Sequence, residues 1–131
     1  KDWKKRWRFP LGKKWWRSSD NSLRKFPLEK IEALLGFAAK AGKVVPGDNA
    51  VRSKLRHGKI HLILLAEDAS DDITEYYHYK GEEMGIPVIC TGTKVKLGWV
   101  IGKSQRVVLG ISDQQFANSI LKQVREKTAM E

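Results

Sequence analysis

Apolar residues recur along this chain at two different spacings, and the switches between them mark out its elements. In LEKIEALLGFAAKAG, residues 28 to 42, Leu28, Ile31, Leu34, Leu35, Ala38 and Ala39 fall on one helical face, and Gly42 stands where that helix should end. KVV, residues 43 to 45, is a short strand candidate. PGDNAVRSKLRHG then reads as a helix with Asp48 and Asn49 at its start and Gly58 at its end. KIHLILLA, residues 59 to 66, is almost continuously apolar, as a strand buried on both faces requires.

Ser70 is placed to cap a following helix whose first turn holds Asp71 and Asp72, where negative charge suits the helix dipole, and which runs to about Gly85. IPVIC is a further buried strand. Thr93 is positioned to cap a short helix in KVKLGWVIG, RVVLGI is a fourth strand, and DQQFANSILKQVREK a last helix with Phe116, Ile120 and Val124 on one face. The order α-β-α-β-α-β-α-β-α, without internal repeats, predicts one layered α/β domain with helices on both faces of a mixed or mostly parallel sheet.

The first 27 residues do not follow this pattern. They carry Trp3, Trp7, Trp15 and Trp16 among basic residues, with Pro10, Gly12 and Pro27 breaking any long helix. Residues 1–30 hold 11 Lys and Arg against 3 acids, a net +8, whereas residues 31–131 hold 14 against 12, a net +2, of the total +10. The extension, residues 1–27, is therefore set apart from a domain at 28–131. Three readings fit its composition: stacking on unpaired bases with Arg and Lys on phosphates, contact with an anionic bilayer, or a non-native start that takes no part in the fold.

Several classes are disfavoured by composition. Cys90 is the single cysteine, so neither an internal disulfide nor a Cys-x-x-Cys metal or redox pair exists, and a reducing, cytoplasmic setting is expected. No run approaches the eighteen or so apolar residues of a membrane span, and the basic start lacks the apolar core of a secretory signal.

If the strands before Gly47, Glu67 and Thr91 run parallel, their carboxyl ends share one sheet edge with the start of each following helix. Ligands of open α/β sheets favour such an edge. The loops there are PGDNA, AEDAS and TGTK. Helix starts offer free N–H groups, Gly47 and Gly92 allow a phosphate or base close to the backbone, and the Asn49 amide can donate and accept as a base edge requires. Asn49 as a simple helix cap is the competing reading. An acid/base pair at Glu67 and Asp68 is disfavoured, because adjacent strand residues point to opposite faces. Asp68 suits a structural role, accepting backbone hydrogen bonds at the turn. His57 at a helix end, His61 within a strand and His78 in mid-helix belong to no nucleophile or metal motif.

The spacing of GDNAVRSKLRHGK, LILLAEDAS, GIPVICTGTKVKLGWVIGK and VVLGISDQQFANSIL resembles the ribosomal protein L7Ae/L30e superfamily, most closely its small bacterial YlxQ branch, over residues 28 to about 122. That resemblance implies a single-domain three-layer α/β/α sandwich with a mixed central sheet that binds RNA, typically a kink-turn with tandem sheared G·A pairs. In better-known members an Asn-Glu pair and a Lys one turn later enter those pairs. Here they fall on Asn49, Ala50 and Ser53, so only the Asn is kept, with Arg52 and Lys54 beside the lost lysine. An acid that contacts the flipped-out nucleotide falls on Ser70, and the loop over exposed bases on Cys90, Thr91, Gly92 and Thr93.

The expected RNA-binding residues are thus Gly47, Asp48, Asn49, Arg52, Ser53, Lys54, Glu67, Ser70, Thr91, Gly92, Thr93 and Lys94. A non-enzymatic, monomeric protein is expected, with no cofactor or metal, and with structured RNA as partner, ribosomal RNA and ribosomal proteins being the candidates. An adaptor that mainly contacts protein and a nucleotide-using enzyme are the rival classes.

Overall fold

Four residues in the middle of the chain, Leu62–Leu65, form the strand on which the others assemble. A computed structural model describes residues 25–129. The elements are β1 (Lys25–Phe26), a 3-10 turn (Leu28–Lys30), α1 (Glu32–Lys40), β2 (Val44–Pro46), α2 (Asp48–Arg56), β3 (Leu62–Leu65), α3 (Asp71–Met84), β4 (Val88–Thr91), α4 (Lys94–Val100), β5 (Val108–Ile111) and α5 (Gln114–Ala129).

The sheet has the order β1-β4-β3-β5-β2. Strand β3 pairs in parallel with β4, through Ile63↔Val88 and Leu65↔Cys90, and antiparallel with β5, through Leu62↔Ile111 and Leu65↔Val108. Strand β2 is also antiparallel to β5. It follows that β2, β3 and β4 all run in one direction, with β5 reversed among them.

Alternate residues of β3 divide the core in two, as the period of a strand requires. Leu62 and Leu64 join Leu35 of α1, Leu97 of α4 and Ile120 of α5 on one face, whereas Ile63 and Leu65 join Val51 and Leu55 of α2 and Tyr77 of α3 on the other. The chain is therefore a three-layer α/β/α sandwich around a mixed sheet. Phe116 and Val124 pack against the first cluster beside buried Ile120, as the spacing of the last helix predicts.

Local signals set several ends. Ser70 Oγ accepts the Ile73 N–H at 3.3 Å, and Thr93 Oγ1 accepts the Lys96 N–H at 3.2 Å, so both expected caps are in place. Gly85, at φ 70° in the left-handed region, closes α3. Pro46 sits in β2 because β2 is an edge strand, where a missing N–H need not break a ladder.

Strand bounds shift by one or two residues from the sequence reading, and three departures go further. The apolar run of residues 59–66 yields a strand only at 62–65, so His61 precedes β3 and does not alternate within it. The first helical face opens as a 3-10 turn before α1 begins at Glu32. Lys25 and Phe26, placed with the extension, form β1 parallel to Cys90 and Thr91 of β4. Two residues carry no readable period, and the pairing comes from the open edge of β4. The rest of the Trp-rich extension, residues 1–24, lies outside the described residues.

One close approach fixes α4 against the chain that follows it. A Cβ on Gly98 would collide with the Ser104 carbonyl, and Lys103 N–H donates to Gly98 O at 2.8 Å. In an open helix interior, alanine would be favoured over glycine by about 1 kcal/mol. Here Gly98→Ala should instead destabilise the domain by about 1–3 kcal/mol through backbone displacement. A lower denaturant midpoint at unchanged slope would register this.

Candidate functional site

Because β2, β3 and β4 run the same way, their last residues Pro46, Leu65 and Thr91 lie at one edge, and α2, α3 and α4 start from it. The condition posed from the sequence is met. Reversed β5 enters the sheet at this same edge, so the segment before it joins the three loops: Gly47 N–H donates to Val108 O, Ala66 N–H to Val107 O and Arg106 N–H to Lys94 O, at 2.8–2.9 Å.

The second and third loops are tied together directly. Glu67 N–H donates to Gly92 O at 2.8 Å, and Asp68 Oδ1 accepts the Lys94 N–H at 3.0 Å. Asp68 thus accepts a backbone hydrogen bond as expected, with its donor in the neighbouring loop, at the first residue of α4. Glu67 is left exposed beside this tie.

The three helix starts differ in how they are capped. Ser70 and Thr93 supply hydroxyls, whereas α2 follows Gly47, which has no side chain to offer. Gly47 lies at φ 95°, ψ 159°, a backbone region that only glycine enters without strain. No side-chain cap serves the first N–H groups of α2, which therefore point to the edge with their share of the helix dipole. Asn49 is exposed within this first turn and does not cap the helix.

Behind Asn49, a cluster anchors α2 to α3. Asp48 Oδ1 accepts the Tyr77 hydroxyl at 2.6 Å and Arg52 Nε at 2.8 Å. The Arg52 guanidinium lies 3.8 Å from the centre of the Tyr76 ring, which meets Tyr77 edge-to-face at 4.9 Å. Burial, then the hydrogen bond to Asp48 and the charge of that carboxylate, push the Tyr77 hydroxyl far above its ordinary pKa; Arg52 opposes this and is outweighed. For Arg52, partial burial acts to lower the pKa, but the hydrogen bond and charge of Asp48 prevail and raise it. Asp48 is thereby committed to the anchor, and Arg52 is held half-buried at the edge.

Helix geometry sorts the remaining predicted residues. Asn49, Arg52 and Ser53 stand at i, i+3 and i+4 and share a side of α2. Lys54 is turned about 140° away from Asn49 at ~100° per residue and belongs to another face. Gly92, at φ 66°, packs against Leu28, while Thr93 and Ser70 are exposed caps and Lys94 is half-buried. Thr91 is fully buried at the end of β4, so its side chain does not reach the surface.

Arg106 was missed from the sequence. Its Cδ lies 3.5 Å from where a Gly47 Cβ would stand, and its Nη1 donates to Ser104 O, Ser104 Oγ and Gln105 O at 2.7–3.0 Å. A second guanidinium is thus braced beside the uncapped start of α2. The direction of β5 would have revealed it, but alternation of helices and strands carries no strand direction. Among the described residues, no three His, Cys, Asp or Glu side chains are placed to hold a metal ion, and no helix is long and apolar enough to cross a membrane.

A sequence profile of the ribosomal protein L7Ae/L30e/S12e/Gadd45 family matches residues 29–121. The chain belongs to this family. It is 38% identical over 88 residues to the RNA-binding protein YlxQ of Bacillus subtilis (strain 168), covering 67% of this chain and 88% of that protein. The large ribosomal subunit protein eL30 of Methanopyrus kandleri is 29% identical over 107 residues, covering 78% and 98% respectively. Among solved structures, a protein with unknown function from Bacillus halodurans C superposes with a TM-score of 0.69 at 31% identity, over 72% of this chain and 95% of that one. The Giardia lamblia 15.5kD RNA binding protein shares the fold, with a TM-score of 0.65 at 22% identity over 88% and 95%. The likeness to these two solved structures is one of fold, the three-layer sandwich described above.

The Tyr77 anchor has a signed pH dependence. Since its folded pKa is raised, Tyr77 ionises first in the unfolded chain, and its contribution, complete below about pH 10, is lost as pH rises beyond that value. Stability should therefore fall above pH 10, and Tyr77→Phe should fall less steeply over the same range. Parallel urea titrations of the two proteins test this; equal slopes would remove Tyr77 from the account.

Proposed function

We propose that this chain is a non-enzymatic, ribosome-associated RNA-binding protein that holds a kink-turn-like or internally looped RNA on the three-loop edge. One observation carries the reading: the start of α2 has no side-chain cap and leaves Asn49 exposed, with Arg106 packed beside Gly47 and Arg52 paired to Asp48 in the same first turns. Backbone N–H groups at a helix start, flanked by guanidinium groups, suit phosphate oxygens, and the Asn49 amide suits a base edge. Relatives named RNA-binding protein YlxQ and large ribosomal subunit protein eL30 support RNA as the partner and the ribosome as its setting.

Base reading in this proposal rests chiefly on Asn49. With Ala50 and Ser53 where better-known family members carry Glu and Lys, two contacts to the G·A pairs are missing. Arg52 and Arg106 position the backbone, which adds affinity without sequence information. The surplus of basic residues, concentrated in residues 1–30, adds a salt-sensitive, sequence-independent attraction.

Electrophoretic titration of the full chain against a kink-turn duplex and a control with its G·A pairs replaced tests this. The kink-turn should bind more tightly, and Asn49→Ala should reduce that preference about tenfold. Equal affinity for both RNAs, with a steep salt dependence, would refute specific recognition.

A further inference from the structure

Helix α4 leaves the edge with two large apolar side chains turned into solvent. Val95 is 60% exposed and Trp99 70% exposed, and as an i, i+4 pair they share one face, while Leu97 and Gly98 are buried. Exposed Lys96 stands one turn before Trp99. Lys103, also exposed, is brought back against the helix end by its N–H bond to Gly98 O. Exposed apolar side chains rimmed by charge are the composition found at binding surfaces.

We propose that this face of α4 stacks the unpaired bases of a single-stranded segment leaving the RNA held at the edge, with Trp99 as the platform and Lys96 and Lys103 on its phosphates. The proposal rests on the RNA reading of the edge and extends it along the surface. An exposed aromatic ring with exposed Lys96 one turn before it and exposed Lys103 just beyond the helix suits the planar base and anionic backbone of a nucleotide strand, and such stacking tolerates any base.

Charge decides among occupants. Residues 94–106, KVKLGWVIGKSQR, contain no acid. A second copy of this chain would bring the same cations to the same face. The basic extension would bring more, with 10 Lys and Arg against 2 acids in residues 1–27. A polyanion meets no such repulsion. The face is also continuous with the edge: α4 begins at Lys94, whose N–H is tied to Asp68, and Trp99 lies five residues further, roughly 8 Å along the axis. Helical Cα–Cβ bonds tilt toward the N-terminus, so the Trp99 side chain leaves the helix toward the edge.

Two RNAs with the same kink-turn duplex, one blunt and one ending in about six unpaired nucleotides, separate the contributions when titrated with the full chain. The tail should tighten binding about tenfold. Trp99→Ala should abolish that gain while leaving affinity for the blunt duplex within about twofold, and Trp99→Phe should keep part of it. A tail gain that survives Trp99→Ala would overturn the proposal and leave the patch to a protein partner. Equal weakening of both RNAs by that change would overturn it too. If the blunt duplex is preferred over its G·A-replaced control but the tail adds nothing, only the stacking proposal fails. Equal binding of duplex and control sinks the edge reading, and the tailed-against-blunt comparison still reports on Trp99.

Discussion

Burial of β3 on both faces governs everything else in this fold. All four of its side chains are removed from solvent, and each large aliphatic group so buried contributes about 1.5–3 kcal/mol. Because they alternate, neither face can be left to water, and helices must cover both. Parallel and antiparallel neighbours complete the hydrogen bonding of β3 at once. That pairing sends the ends of β2, β3 and β4 to one edge and makes β5 enter there, so the surface proposed to hold RNA is set by the packing of the interior.

The core reaches that surface through Tyr77. Its ring belongs to the cluster beneath α2 and α3, and its hydroxyl holds Asp48 at the first residue of α2. Asp48 in turn fixes Arg52, which rests on Tyr76. On the other side, Asp68 ties the second loop to the start of α4, and Arg106 N–H ties the segment before β5 to Lys94. A loop-built surface thereby gains the rigidity of the sheet behind it, and its donors need little reordering when a ligand arrives.

Much of this was legible in the sequence because it is local. The caps Ser70 and Thr93, the stop at Gly85 and the continuous apolarity of β3 each follow from residues within a few positions of one another. The three strand-to-helix loops follow from element order together with a stated condition on direction. What escaped is what depends on partners distant in the chain. The donor to Asp68 lies 26 residues away, and Tyr77 is 29 residues from Asp48. The Asp48–Arg52 pair is local, at i and i+4, but its partial burial against Tyr76 and Tyr77 is set by the packing of α3. Burial of Thr91 and the place of Arg106 both depend on the sheet pairing, which alternation alone does not supply. Strand β1 is too short to show a period and exists because β4 offers it an edge.

Gly47 gives the edge an unusual kind of mutational permanence. A residue with a capping hydroxyl or carboxylate could in principle satisfy the start of α2 and extinguish its attraction for anions. At φ 95° such a residue would be strained, although its Cβ would meet Arg106 only at ordinary contact distance. The substitutions that would silence the helix end chemically are thus those the backbone accepts least, so drift at this position costs folding before it can trade away the vacant N–H groups.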